Sequence, residues 1–446
     1  FRVTYSWNGR YHAEYNGAYN GSEKFADVNR FAFFNSGAVG WTISEEPFMK
    51  WFREKRIIEM LKVRVSYGEI GDDNIGQRWL YMSQWAYGGA TAMDLNQADS
   101  IYQWYRESAI GNPDVKWETV TKLNAGIDYS MFKGLIAGSV EFFRDERRDI
   151  LVDGGSRSVP SYYGGTPPTV NIGRVRTNGY ELELRINKQF ANGLRLWGNL
   201  NMTHSENVIL QKDDQALRPD YQKEAGYAIG QYRSHIDAGY TQTWDEVYGT
   251  PKFDTNDAHK LPGDYYIVDF NGDGVVDSKD SAPYGYTGTP QNTYNATVGF
   301  EWKGLSAFAQ FYGVTNVTRD VPLTSFGNKL NTVYDMGSWW SPSNPNADVV
   351  VPTWSRTPGY YANQSTQYLF DGSYIRLKNL EIAYTVYGGW AKKIGLESFK
   401  IFINGNNLWL WTRMPDDREA NLSGYSGGGG AYPTVRRFNL GVKLTL

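Results

Sequence analysis

The chain has 446 residues, a formal charge of −3, no cysteine, 48 glycines and 16% aromatic residues. Basic and acidic side chains nearly balance, which excludes a nucleic-acid partner held by phosphate contacts, and the lack of cysteine excludes disulfide scaffolds, zinc ribbons and thiol chemistry. No apolar run approaches the roughly 18 residues of a membrane helix, so only strands could cross a bilayer.

The chain opens inside an alternating stretch, FRVTYSWNGRYHAEYNGAYNG, without a signal peptide, as expected of part of a longer precursor. Period-two alternation predicts strands near 1–8, 11–22 and 30–44. A helical spacing of Phe48, Phe52, Ile57, Ile58 and Leu61 then predicts a helix within 45–62. Strands resume near 61–71, 119–132, 135–150, 174–190 and 194–207. In YELELRIN, for instance, Tyr180, Leu182, Leu184 and Ile186 share one face while Glu181, Glu183, Arg185 and Asn187 share the other. Further strands are predicted near 291–303, 305–316, 373–386, 398–412 and 436–446, making thirteen in all.

Alternation alone does not distinguish a soluble sandwich from a membrane barrel, but connector length does. Connectors after odd-numbered strands are short, such as NG, KG and ANG, apart from the helix segment. Those after even-numbered strands are long, near 72–118, 151–173, 208–290, 317–372 and 413–435, with the brief 23–29 as the exception. Outer-membrane barrels sort their loops in this way, with tight turns on the periplasmic side and large loops outside. About ten residues at roughly 3.3 Å each, tilted by about 45°, span about 23 Å, close to the apolar band of such barrels. The fold expected is therefore all-β, with an antiparallel transmembrane sheet and the 208–290 loop outside the cell. Thirteen strands alone leave two edges unsatisfied in lipid, so further strands are expected to complete the barrel.

The 208–290 loop carries DFNGDGVVDSKD, with the spacing of an EF-hand calcium loop. Asp269, Asn271, Asp273, Asp277 and Asp280 occupy positions 1, 3, 5, 9 and 12, Gly274 the sharp turn, and Val275 would offer its carbonyl. Four carboxylates in twelve residues, offset only by Lys279, favour a hard cation such as Ca²⁺. No helix pair flanks the loop, so its expected role is local ordering. Mg²⁺, or an ion-free turn rich in Asp and Asn, is the plainer alternative.

Trp79, Trp85 and Trp104 in the 72–118 loop, and Trp339, Trp340 and Trp354 in the 317–372 loop, lie where a ligand would enter and could stack on sugars or pack on peptide side chains. The plainer reading is that they pack the loops themselves. Trp7, Trp197, Trp302, Trp409 and Trp411, near strand ends, are expected in interfacial girdles. No catalytic pattern emerges: His12, His204, His235 and His259 form no triad or metal spacing, no carboxylate pair stands out, and basic pairs such as Arg147-Arg148 and Arg436-Arg437 read as solvated.

Seven phrases, in order, carry a family resemblance: LKVRVSYGEIGDDNIG, ERRDILVD, NIGRVRTNGYELEL, PGDYYIVDFNGDGVVDSKD, WWSPSNPNADVVVPTW, DGSYIRLKNLEIAYTV and INGNNLWLWT. The sequence resembles the C-terminal half of SusC/RagA-like TonB-dependent outer-membrane transporters. That resemblance implies a 22-stranded barrel completed by an N-terminal barrel portion and plug, a SusD-like surface lipoprotein over the mouth, and energy from TonB, ExbB and ExbD. The expected function is import of oligomeric nutrients, glycans or peptides, across a Gram-negative, Bacteroidetes-type outer membrane. The final Leu446 departs from the Phe that usually ends such barrels. The alternative is a secreted, soluble glycan-binding β-protein with a calcium-ordered loop.

Overall fold

The computed structural model describes residues 1–74, 78–90, 103–255, 257–320, 338, 340–347, 365–389, 395–414 and 434–445. Thirteen strands form one antiparallel sheet: β1 (Arg2–Trp7), β2 (Tyr11–Gly21), β3 (Phe31–Thr42), β4 (Ile58–Asp72), β5 (Glu118–Met131), β6 (Ile136–Val152) and β7 (Val170–Gln189), followed by β8 (Arg195–Gln211), β9 (Asn292–Trp302), β10 (Leu305–Thr315), β11 (Tyr374–Tyr387), β12 (Ser398–Thr412) and β13 (Arg437–Thr445). Each strand pairs with its neighbour in sequence, so the sheet is a continuous meander. Strands β6, β7 and β8 run for 17, 20 and 17 residues, far beyond the five or six or so of an ordinary globular strand.

The short connectors are built as the sequence suggests. Lys303 and Gly304 both take positive φ, the backbone of a two-residue hairpin turn matched to strand twist, and Asn8 and Gly9 do the same within the three-residue connector 8–10. The 45–62 segment differs from the helical expectation. Only α1 (Lys50–Glu54) is α-helical, after two short 3₁₀ turns. Arg56 lies at φ +54° and ends the helix, and Ile58 instead opens β4 opposite Met131, where its β-branched side chain suits the sheet.

Register sorts the side chains into two faces. Tyr5, Ala13, Val39, Val65, Ala125 and Phe142 are successive cross-strand partners on one face. Their neighbours Thr4, Glu14, Ala38, Ser66, Asn124 and Phe143 occupy the other. Towards the C-terminus the apolar row continues through Val298, Ala309, Leu380, Ile382, Ile403 and Leu440. A bulge at Lys378, matched on β12 by Asn407 at φ +54°, shifts the alternation from Ile375 and Leu377 to Leu380 and Ile382, so the apolar residues stay on one face.

That apolar face is uncovered. Val39, Val298, Ile382 and Leu440 are 62%, 52%, 52% and 71% exposed. A sandwich would need a second sheet against this face, yet the other described sheets are two-stranded and belong to the loops. Buried apolar side chains such as Phe25, Val115, Val247, Ile267, Val276 and Val317 lie instead in connectors and at strand ends.

Trp7, Trp302, Trp409 and Trp411 stand in the apolar rows near strand ends and are exposed, as a girdle requires. Trp197 does not. Its partners Asn187 and Gly299 lie on the polar face. A Cβ at Gly299 would come within 2.5 Å of the Trp197 ring, so glycine makes room for the indole there.

The long connectors carry structure of their own. Gln84–Ala90 pairs with Gln103–Ala109, and Thr318–Asp320 with Leu369–Asp371. Within 212–291, three short pairings and helix α2 (Trp244–Gly249) form a compact unit. Thr243 caps α2 by accepting the Glu246 N–H at 3.2 Å.

Candidate functional site: the polar face and its loop-end cavity

The polar face changes character across the sheet. On β4–β6, Arg64 is held by Asp128 at 3.2 Å, by Glu141 and by Asn124. On β9–β12 a chain of amides takes over: Asn406 donates to Asn379 at 2.5 Å, Asn379 to Gln310 at 2.6 Å, and Gln310 to Asn295 at 3.2 Å. These side chains satisfy one another while leaving a wettable, neutral wall.

At the long-loop ends of β4–β8 the same face forms a cavity of about 1070 Å³, closed over by residues 212–233. Its walls mix aliphatic side chains, among them Ile70, Val120, Val175 and Ile209, with charges of both signs. Lys122 meets Asp145 at 2.5 Å, and Arg147 lies 3.5 Å from both Asp72 and Glu118. In the cover, Lys212 pairs with Glu224, and Arg233 donates to the carbonyls of Tyr221 and Lys223 while its guanidinium sits 4.9 Å over the Tyr227 ring. Such a wall can hold an extended polar oligomer by its backbone and charged groups.

Sequence reasoning missed this cavity. Arg147 and Arg148 are solvent-exposed as expected, and they are also ion-paired, on opposite faces: Arg147 towards the cavity and Arg148 with Glu69 at 3.2 Å. The signal available was the alternating charge in FFRDERRD, whose odd-numbered positions, Asp145 and Arg147, share the polar face.

A strap from the 153–169 connector meets the cover. Arg157 Nε donates to Asp213 at 2.8 Å, and the Ser158 N–H donates to the same carboxylate at 2.9 Å. The guanidinium holds the Asp213 carboxyl below its ordinary value. A carboxyl depressed on folding contributes stability above its unfolded pKa, lost as pH falls through the folded one. The strap is therefore expected to be insensitive to pH from neutrality down to the usual carboxylate range and to loosen below it. Asp213→Asn should loosen it already at pH 7, read as faster amide exchange at 155–159 after correction for intrinsic rates.

The 269–280 loop is laced together by its own carboxylates and amides. Asp269 accepts from the N–H groups of Gly272 at 2.7 Å, Asp273 at 3.2 Å and Gly274 at 2.7 Å. Asn271 accepts from Asp273 N–H, and Asp273 from Val275 N–H. Asp280 is fully buried: one carboxylate oxygen takes the N–H of Phe270 and Asn271, the other that of Asp277. The Lys279 ammonium lies 2.9 Å from Asp277 and 3.9 Å from Asp273, and it holds the Asp277 carboxyl below its ordinary value. Among the described residues no three acidic or histidine side chains converge as a preformed metal cluster.

Of the tryptophans suggested for ligand contact, Trp79 and Trp85 are exposed. Trp104 lies in the hairpin strand Gln103–Ala109. Trp340 is buried and donates its indole N–H to Gln242 at 3.1 Å, so its ring packs the loops. Trp339 and Trp354 lie outside the described residues. Trp79, Trp85 and Trp340 do not line the cavity.

Comparison with known proteins places this geometry. Residues 1–408 match the family model described as TonB dependent receptor-like, beta-barrel. TonB-dependent receptor P3 of Formosa agariphila is 26% identical, the alignment covering 99% of this chain and 45% of that protein. TonB-dependent receptor SusC of Bacteroides thetaiotaomicron is 27% identical over 87% of this chain and 38% of its own length. The chain thus spans less than half the length of these relatives. Among solved structures, the RagAB peptide importer in its open-open state superposes with a TM-score of 0.72 at 19% identity, over all of this chain and 46% of that one, a likeness of fold. The chain belongs to the TonB-dependent receptor-like β-barrel family.

Proposed function

We propose that this chain forms the C-terminal part of a 22-stranded outer-membrane barrel that imports oligomeric nutrients, either peptides or glycans. The observation that carries this reading is the two-faced sheet: one face apolar and uncovered, the other polar, with the mixed-charge cavity at its long-loop end. In lipid the first becomes the outer wall, while the second becomes an aqueous lumen. On this reading an N-terminal barrel portion and plug complete the pore, a SusD-like lipoprotein delivers substrate at the long-loop mouth, and TonB, ExbB and ExbD supply the work. Catalysis has no part in it.

The test is uptake by cells carrying the full-length transporter. The complex is purified in detergent, and the oligomers and lipoprotein that come with it are identified by mass spectrometry. Arg147→Ala, which removes a cation from the cavity without touching the apolar face, is expected to lower uptake of the co-purified oligomer several-fold at unchanged protein level. A full-length protein that stays monomeric and folded in plain buffer sinks the proposal.

For the 269–280 loop we propose a structural Ca²⁺ held by Asp269, Asn271, Asp273, the Val275 carbonyl and Asp277, with Asp280 closing the loop through its backbone bonds. Lys279 now neutralises Asp273 and Asp277, so the ion and this ammonium compete for the same carboxylates. Lys279→Met is expected to tighten calcium binding and Asp273→Ala to abolish it, measured by titration calorimetry. No calcium heat in either the parent or Lys279→Met overturns the assignment.

A further inference from the structure

We propose that the β3–β4 connector is an interfacial foot that seats Phe48, Trp51 and Phe52 among the phospholipid headgroups of the leaflet on the short-turn side. The inference rests on the bilayer reading of the apolar face but concerns a segment outside the sheet.

Of the short-side connectors this is the longest, fifteen residues, 43–57, against ten for 388–397 and five or fewer for the others, and it presents three large aromatic side chains. Phe48, Trp51 and Phe52 are 63%, 56% and 37% exposed, and the last two meet edge-to-face at 4.9 Å. Free aromatic rings on a helix too short to fold alone need a medium that accepts them.

The foot is fixed to the rim of the apolar face. Trp7, Tyr11 and Trp41, cross-strand partners on that face, stack at 5.7 Å and 6.4 Å with interplanar angles of 25° and 10°. The ladder ends on the foot: the Tyr11 hydroxyl and the Trp41 indole N–H donate to the buried Glu46 carboxylate at 2.6 Å and 3.0 Å. Arg10 Nε donates to the Glu45 carbonyl at 3.0 Å. The exposed rings therefore continue the aromatic girdle beyond the last strand residue, at the level where rings with one wet end favour the membrane–water boundary.

Charge points to the same occupant. The foot carries four basic side chains, Lys50, Arg53, Lys55 and Arg56, against three acidic ones, Glu45, Glu46 and Glu54. Lys50 and Arg56 are largely exposed, and their ion pairs are the surface kind worth little in water. Long basic stems lying beside aromatic rings can reach lipid phosphates while their methylenes stay in the apolar layer.

The test uses the full-length transporter in native outer membranes, with photoreactive p-benzoylphenylalanine replacing Phe48 or Trp51 singly, both exposed. Val39, in the apolar rows, and Leu217, fully exposed in the loops, serve as references. Irradiation is expected to give phospholipid adducts at Phe48 and Trp51 at yields close to Val39, and none at Leu217. Protein adducts alone, or no lipid adduct, at both foot positions with lipid still captured at Val39 overturns the foot. Loss of lipid capture at Val39 itself overturns the bilayer reading instead.

Discussion

Asp280→Ala is expected to melt the 269–281 loop while the thirteen-stranded sheet stays folded. Asp280 is the one carboxylate of the acidic loop that is fully buried, and it satisfies three backbone N–H groups, those of Phe270, Asn271 and Asp277. Alanine removes all three acceptors at once. With donors that are only partly buried, the local cost is on the order of 2–4 kcal/mol, enough to open a unit with so small a core. The effect should spread along named contacts. Val275 and Val276 pair in parallel with Lys252 and Phe253, the His235 ring bonds the Asp277 carbonyl at 2.8 Å, and Tyr221 and Gln222 both donate to the Lys279 carbonyl. Amide exchange should therefore rise at 252–254 and 270–281 but not in β9 or β10. Asp280→Asn, which keeps one acceptor oxygen, should show roughly half the loss. Unchanged protection in Asp280→Ala would show that the loop is held by its outer contacts.

This variant separates two roles that the sequence pattern merges. The EF-hand spacing treats Asp280 as the twelfth ligand, equivalent to the other carboxylates. In the fold it works as a capping residue: with Asp277 it forms a reciprocal capping box around the 3₁₀ turn Ser278–Asp280. The capping role is visible only in the fold, where 252–253 pair with 275–276 and 221–222 bond the Lys279 carbonyl, contacts that lie outside the motif.

The same division runs through the rest of the chain. The thirteen strands were legible because a sheet with one lipid-facing side imposes alternation residue by residue, and the NG and KG turns mark their hairpins through the positive φ they tolerate. The 45–62 helix was misread because Ile57 and Ile58 fit helical spacing as well as they fit a strand, and only pairing with β5 decides. Trp197 was misplaced in the girdle for a related reason. Its position near a strand end is visible in the sequence, but its face follows from register against Gly299. The cavity was illegible because it is assembled from five strand ends spread between Ile70 and Gln211 and from the cover that follows them, each contributing unremarkable charges.

The face assignment itself makes the sharpest prediction, because Val39 and Ala38 are adjacent and point to opposite sides of β3. Val39 lies between Ala13 and Val65 in the apolar row, whereas Ala38 lies between Glu14 and Ser66 in the polar row. Lysine at Val39 would place an ammonium in the hydrocarbon band, at a cost of about 2–4 kcal/mol near the midplane. Lysine at Ala38 would meet water and the Glu14 carboxylate and should cost little. In the full-length protein, Val39→Lys should sharply reduce the folded fraction recovered in bilayers, read by the heat-sensitive shift of the folded band on gels, while Ala38→Lys should match the parent. A soluble sandwich with this face packed inside would also reject Val39→Lys, but it would fold without lipid, so both variants are compared with and without vesicles. Dependence of the parent on vesicles, together with selective loss at Val39, identifies hydrocarbon as the medium this face meets. Equal tolerance of the two lysines would mean that the exposed apolar rows face water, and the barrel reading would fall with them.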